Sequence, residues 1–167
     1  MINKLHLLLI LLFFTIHSYA LPPGIKYIEK TWKAPEIDLT DIDGRQHSLS
    51  DYQGNILIIN FWSTWCQPCR KEMPALQRAY EQLKEANISI IAIAMGDSPS
   101  DVALYRDNNP VDFALLSDKD SVVSTRWSIP ALPTTYIINQ SGEVIIRVVG
   151  EYEWDNPNWL KIIKALK

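Results

Sequence analysis

The chain has 167 residues, 47% of them apolar and 21% charged, with a net charge of −3 at neutral pH. That is enough for one compact domain with its own core, too short for two, and too apolar for a disordered chain. No basic run of the kind that holds nucleic acid is present, so that class of partner is excluded.

Residues 1–20 differ in composition from the rest. "MINK" carries one lysine, "LHLLLILLFFTI" is an apolar run, and "HSYA" places Ser18 and Ala20 at small-residue positions. This three-part pattern reads as a secretory signal ending at Ala20, or as an uncleaved N-terminal anchor. The apolar run is shorter than the ~20 residues of a membrane-spanning helix. Removing it would leave His47 as the one histidine. Export would place the cysteines where oxidation is possible.

"LPPG" opens residues 21–34, read as a stiff, extended lead-in. Residues 35–167 then form the domain. Around Asp43-Gly44, apolar and polar residues alternate, which predicts a short N-terminal β-hairpin with His47 on its surface. "ILIINFW" (56–62) is a continuous apolar run, as in a strand buried on both faces. From Gln67 to about Ala86 the period changes to three and four, with Met73, Leu76, Ala79, Tyr80 and Leu83 on one stripe. This is an amphipathic helix, and Pro74 falls inside it. "ISIIAIAM" (88–95) is a second buried strand. Ser98 followed by Pro99 starts a helix over 98–109. A short strand at 112–118, a short helix at 121–127, a hairpin of strands 134–139 and 142–150, and a helix at 156–166 complete the chain. Strands alternating with helices predict an α/β fold: a central mixed sheet with helices on both faces, plus the extra N-terminal hairpin.

The only cysteines are Cys66 and Cys69, in "STWCQPCRKEMP". A structural zinc site needs about four ligands, which this chain cannot supply, so no metal is expected. Haem attachment would need a histidine where Arg70 stands. A purely structural disulfide closing so short a loop would add little stability. A redox pair accounts better for the placement. A buried strand ends, a short loop follows, and a helix begins near Cys66. A thiol there meets unpaired N–H groups and the positive end of the helix dipole, which favour the thiolate. Cys69 lies one turn deeper on the same face. Cys66 is then the exposed attacker and Cys69 the shielded resolving thiol.

"NFWSTWCQPCRKEMPALQ" (60–77) and "IPALPTTYIINQSGEVIIRVVG" (129–150) together resemble the two signatures of the thioredoxin fold. They are closest to its exported TlpA-like and ResA-like group of thiol-disulfide oxidoreductases, linked to cytochrome c maturation. The resemblance runs from about residue 35 to 166. It implies a thioredoxin-like fold and a redox-active Cys66–Cys69 disulfide. It also implies a cis-proline at Pro133, where the backbone of Leu132 would pair with a substrate polypeptide. Trp65 would sit at the rim beside Cys66, and Gln67 and Pro68 would tune the thiolate. Asn60 departs from thioredoxin itself, which has a buried acid there. The resemblance points instead to Asp97 as the supporting acid, with Glu72 as the alternative.

The expected activity is reduction of disulfides in extracytoplasmic protein substrates. The expected electron donor is a membrane-embedded thiol protein. The dithiol is the redox group, so no cofactor is implied, and a monomer is expected. The rivals are a disulfide-introducing oxidase on the same fold, a peroxide-reducing relative, and a redox-inert binding or chaperone module.

Overall fold

The isoleucine-rich run 56–62 forms the middle of the sheet, and each of its residues is buried. The computed structural model describes residues 25–166, so the segment read as a signal lies outside the described residues. In chain order the elements are β1 (Ile25–Lys33), β2 (Asp38–Thr40), β3 (Gln46–Ser48), β4 (Ile56–Trp62), α1 (Gln67–Leu83), β5 (Ile88–Met95), α2 (Pro99–Asn108), β6 (Ala114–Asp118), α3 (Val122–Arg126), β7 (Thr134–Ile138), β8 (Glu143–Val149) and α4 (Pro157–Lys164).

Six strands lie in the order β1-β8-β7-β4-β5-β6. β4, β5 and β6 are mutually parallel, joined by right-sized helical crossovers, whereas β7, β8 and β1 add antiparallel strands. The sheet is therefore mixed, as the element order predicts. β2 and β3 pair as a separate hairpin. Its turn leans on the outer strand, with the Ile42 N–H donating to the Leu115 carbonyl at 3.0 Å. This contact covers part of an edge that would otherwise be open to another chain.

Alternation along β4 divides the core. Ile56, Ile58 and Trp62 pack with Met73 and Leu76 of α1, Val102 and Tyr105 of α2, and Trp159 and Ile163 of α4. Leu57, Ile59 and Phe61 pack on the other face with Val123, Trp127, Tyr136 and Ile37. Helices thus lie on both faces. Ser98 caps α2 as expected: its hydroxyl accepts from the Asp101 N–H, and the Asp101 carboxylate reaches back to the Ser98 N–H. α1 runs on through Pro74.

Two local expectations need revision. The segment 21–34, read as a lead-in, contains the edge strand β1, which pairs with β8 from Ile25↔Val148 to Lys33↔Glu143. His47 is not a surface residue. It is buried, with Nδ1 2.6 Å from the Tyr52 hydroxyl and Nε2 2.8 Å from the Asp41 carboxylate. A lone polar residue in an alternating strand reads as outward-facing, but here the hairpin folds over onto Tyr52 and Asp41.

Candidate active site

β4 delivers the chain to the end of the sheet, and residues 63–66 carry it into α1. Cys66 occupies the N-cap of α1, with Gln67 and Pro68 as the first helical residues. Proline is accommodated there because the first helical N–H groups have no intrahelical partner. Cys66 and Cys69 are joined by a disulfide with an S–S distance of 2.02 Å. The Cys69 N–H donates to the Cys66 sulfur at 3.3 Å, a backbone contact at the helix N-terminus that would favour a thiolate there. Cys66 keeps 6% of its surface exposed and Cys69 none.

On the open side of Cys66 lies a largely apolar cavity of about 510 Å³, walled by Trp65, Pro68, Met95, Ile129 and Leu132. Trp65 is 69% exposed, the most exposed large apolar side chain among the described residues. The Leu132–Pro133 bond is cis. Trp62, by contrast, is a core residue that packs against Tyr105, with ring centroids 4.6 Å apart and ring planes 59° apart.

Asp97 is buried just beyond β5. Its carboxylate accepts from the Ser63 hydroxyl at 2.7 Å, the Thr64 N–H at 2.7 Å and the Thr64 hydroxyl at 2.9 Å. These bonds tie the β4–α1 loop to the end of β5. They fix the point from which Trp65 and Cys66 project.

Glu72 is the second buried acid, 1% exposed, on the sheet-facing side of α1 one turn beyond Cys69. Its Oε1 accepts from Asn60 Nδ2 at 2.8 Å. Its Oε2 accepts from the Tyr152 N–H at 3.0 Å and from Trp154 Nε1 at 3.1 Å. Burial pushes its pKa up to about 7, against the pull of these donors, and the nearby Glu151 charge adds to the rise. A carboxyl held there can take or give a proton at neutral pH.

This constellation has clear relatives. Residues 31–147 match the model of the AhpC/TSA family. The chain is 36% identical over 117 residues to the thiol-disulfide oxidoreductase ResA of Geobacillus kaustophilus, covering 70% of this chain and 67% of that one. It is 34% identical over 137 residues to ResA of Bacillus subtilis, covering 82% of this chain and 76% of that one. The chain belongs to the ResA-like thiol-disulfide oxidoreductases of the AhpC/TSA family. A solved structure from Chlorobium tepidum, provisionally named thiol:disulfide interchange protein DsbE, superposes with a TM-score of 0.75 at 25% identity, covering 84% of this chain and 99% of that one.

Within this family frame, the structure brings most of the predicted residues together. Cys66, Trp65, Pro68, Gln67 and Leu132 line one cavity, Cys69 is sealed behind Cys66, and Pro133 follows Leu132. Asp97 supports the loop, and its oxygens are occupied by Ser63 and Thr64. Glu72, expected only as the alternative to Asp97, is a buried acid with three donors on its carboxylate. A signal for it existed: it falls on the same helical stripe as Cys69, Met73 and Leu76, where an acid must be buried. The sequence alone marks Asn60 only by the acid whose place it takes. The sequence offered no hint of its bond to Glu72.

Proposed function

We propose that this protein reduces disulfide bonds in protein substrates outside the cytoplasm, apocytochrome c among them, by cycling Cys66 and Cys69 between dithiol and disulfide. The observation that carries the reading is the asymmetry of the pair. Cys66 faces an apolar-walled cavity at a helix N-terminus, and Cys69 is sealed behind it above a buried acid.

The chemistry follows from that asymmetry. The Cys66 thiolate attacks one sulfur of a substrate disulfide, and the other substrate sulfur leaves as a thiolate. Cys69 gives its proton to Glu72 and attacks the Cys66 sulfur. The second substrate thiolate departs, and the Cys66–Cys69 disulfide remains. Two electrons pass from the dithiol to the substrate, whose two sulfurs each take up a proton. Leu132, at the cavity wall, and the cis-bonded Pro133 that follows it hold the substrate backbone extended. Gln67 and Pro68 set how well the Cys66 thiolate is stabilised. A membrane-embedded thiol protein re-reduces the pair, and the protein acts as a monomer. Residues 1–20 direct export.

The test is the reduction potential of the pair, by equilibration against a dithiothreitol couple, together with insulin-disulfide reduction. A potential near or below about −230 mV, and loss of insulin reduction in Cys66→Ser, support a reductase. A potential near about −120 mV moves the protein to the disulfide-introducing oxidases. Retained activity in Cys66→Ser excludes the mechanism.

A further inference from the structure

Asn60 is the one polar residue of β4 and has no exposed surface. A leucine would fill similar space without the cost of taking an amide out of water. The amide is therefore retained against stability, and its bonding suggests the reason. Nδ2 uses both of its hydrogens, one on Glu72 Oε1 at 2.8 Å and one on Thr135 Oγ1 at 2.9 Å. The other end of the amide, Oδ1, is buried without any partner.

The chemistry of the donors sets this orientation. An ionised carboxylate only accepts, so turning the amide around would set two acceptors, Oδ1 and Glu72 Oε1, against each other. Glu72 Oε2 is already occupied by two fixed donors, the Tyr152 N–H and Trp154 Nε1–H. A proton reaching Glu72 must therefore sit on Oε1, facing Asn60. There it meets Nδ2, a donor, and needs an acceptor instead. The unpartnered Oδ1 is that acceptor, brought into place by a half-turn of the amide. The Thr135 hydroxyl both donates and accepts, so it can reverse its role to match.

We propose that Asn60 is the positioning residue for Glu72: its carboxamide holds the ionised acid through Nδ2 and the protonated acid through Oδ1. Glu72 can then load and release a proton without leaving its seat against the sheet. The proposal rests on the reading of Glu72 as proton acceptor for Cys69. The charged groups around Glu72 are Lys71 and Arg78 of α1 and Glu151, Glu153 and Asp155 of the segment after β8. β4 and β7 face it with Asn60 and Thr135, which do not titrate. Substitution at either of those two leaves the surrounding charges unchanged.

The experiment is an NMR titration of the oxidised full-length protein. It follows the Glu72 side-chain carboxyl carbon and the Asn60 side-chain amide together, with Glu72→Gln to assign the carboxyl signal. In the wild type the Asn60 amide signals move in step with the Glu72 midpoint. In Asn60→Leu the ionised form loses a charge-assisted donor and the protonated form only a weaker neutral acceptor, so the midpoint rises by roughly half to one pH unit. Thr135→Val, which leaves the amide with one partner, raises it by less. If Asn60→Leu does not fold, Asn60→Ala carries the same expectation. An unchanged midpoint in the folded Asn60 variant, or amide signals that ignore the Glu72 titration, overturns the proposal. None of these readings needs turnover. A Glu72→Gln protein whose disulfide reduction keeps its wild-type pH profile would therefore fail the proton-acceptor reading alone, and leave the Asn60 result standing.

Discussion

At the residue scale, Glu72 couples stability to pH. Burial is the main cause of its raised pKa, so the folded protein keeps the proton up to about pH 7, and the unfolded chain only to its ordinary 4.5. Between these limits the folded state binds more protons than the unfolded state. Stability from this group is therefore full below pH 4.5 and declines as pH rises towards 7, by up to roughly 3 kcal/mol. Glu72→Gln should flatten the fall over this window, read from urea unfolding of the oxidised protein at several pH values. Under the proposed mechanism Glu72 accepts the Cys69 proton, so in the same variant disulfide reduction should slow and lose its pH dependence near neutrality. A stability curve with the same slope in both proteins would show that Glu72 does not titrate between those limits.

At the scale of elements, the site is held by two long-range ties onto the start of α1. One is Asp97, from the end of β5, which gathers Ser63 and Thr64. Asp97→Ala leaves the buried Ser63 hydroxyl unpartnered and should cost about 2–3 kcal/mol in denaturant unfolding. Its pH profile of disulfide reduction should keep the wild-type midpoint, since the proposed proton acceptor is Glu72. Loss of that midpoint would make Asp97 the working acid instead. The other tie is the segment after β8, where Trp154 packs edge-on against Trp159 and Tyr152 and donates to Glu72. Trp154→Phe keeps most of the packing and removes one donor from the carboxylate. It should raise the Glu72 midpoint, whereas Trp154→Ala should also cost about 3–5 kcal/mol as a cavity. Equal loss of stability in the two variants would mean that the hydrogen bond, not the ring, seats this segment.

At the scale of the whole molecule, the sheet ends on one side at β1. This strand covers β8, and Trp32 lies edge-on to Tyr136 at 6.3 Å. A chain starting at Ala34 would leave the β8 edge unpaired. It should melt lower and associate at high concentration, as light scattering would show. An unchanged melting temperature would make β1 an appendage rather than part of the fold. The site lies three strands in from that edge. It is built where the C-terminal end of β4 meets α1 and the loop before β7, so the edge truncation should leave the reduction potential of Cys66–Cys69 as it was.

The strands from β2 onward, the amphipathic helix, the cysteine pair on its first turn and the proline before β7 were legible along the chain, whereas β1 was not. Each is a local signal: a period of two or of three to four, a cap, or a spacing within one turn. What was not legible depends on partners far away in sequence. Asn60 meets Thr135 across 75 positions, and Glu72 meets Tyr152 and Trp154 across 80 and 82. His47 turns inward only because Asp41 and Tyr52 close around it. A polar residue on an apolar stripe is ambiguous until its donors and acceptors are known, since burial is tolerable only when they are met. The chemistry of the sulfur pair is thus written in a dozen consecutive residues, and the handling of its proton is decided by how β4, β7 and the segment after β8 converge on α1.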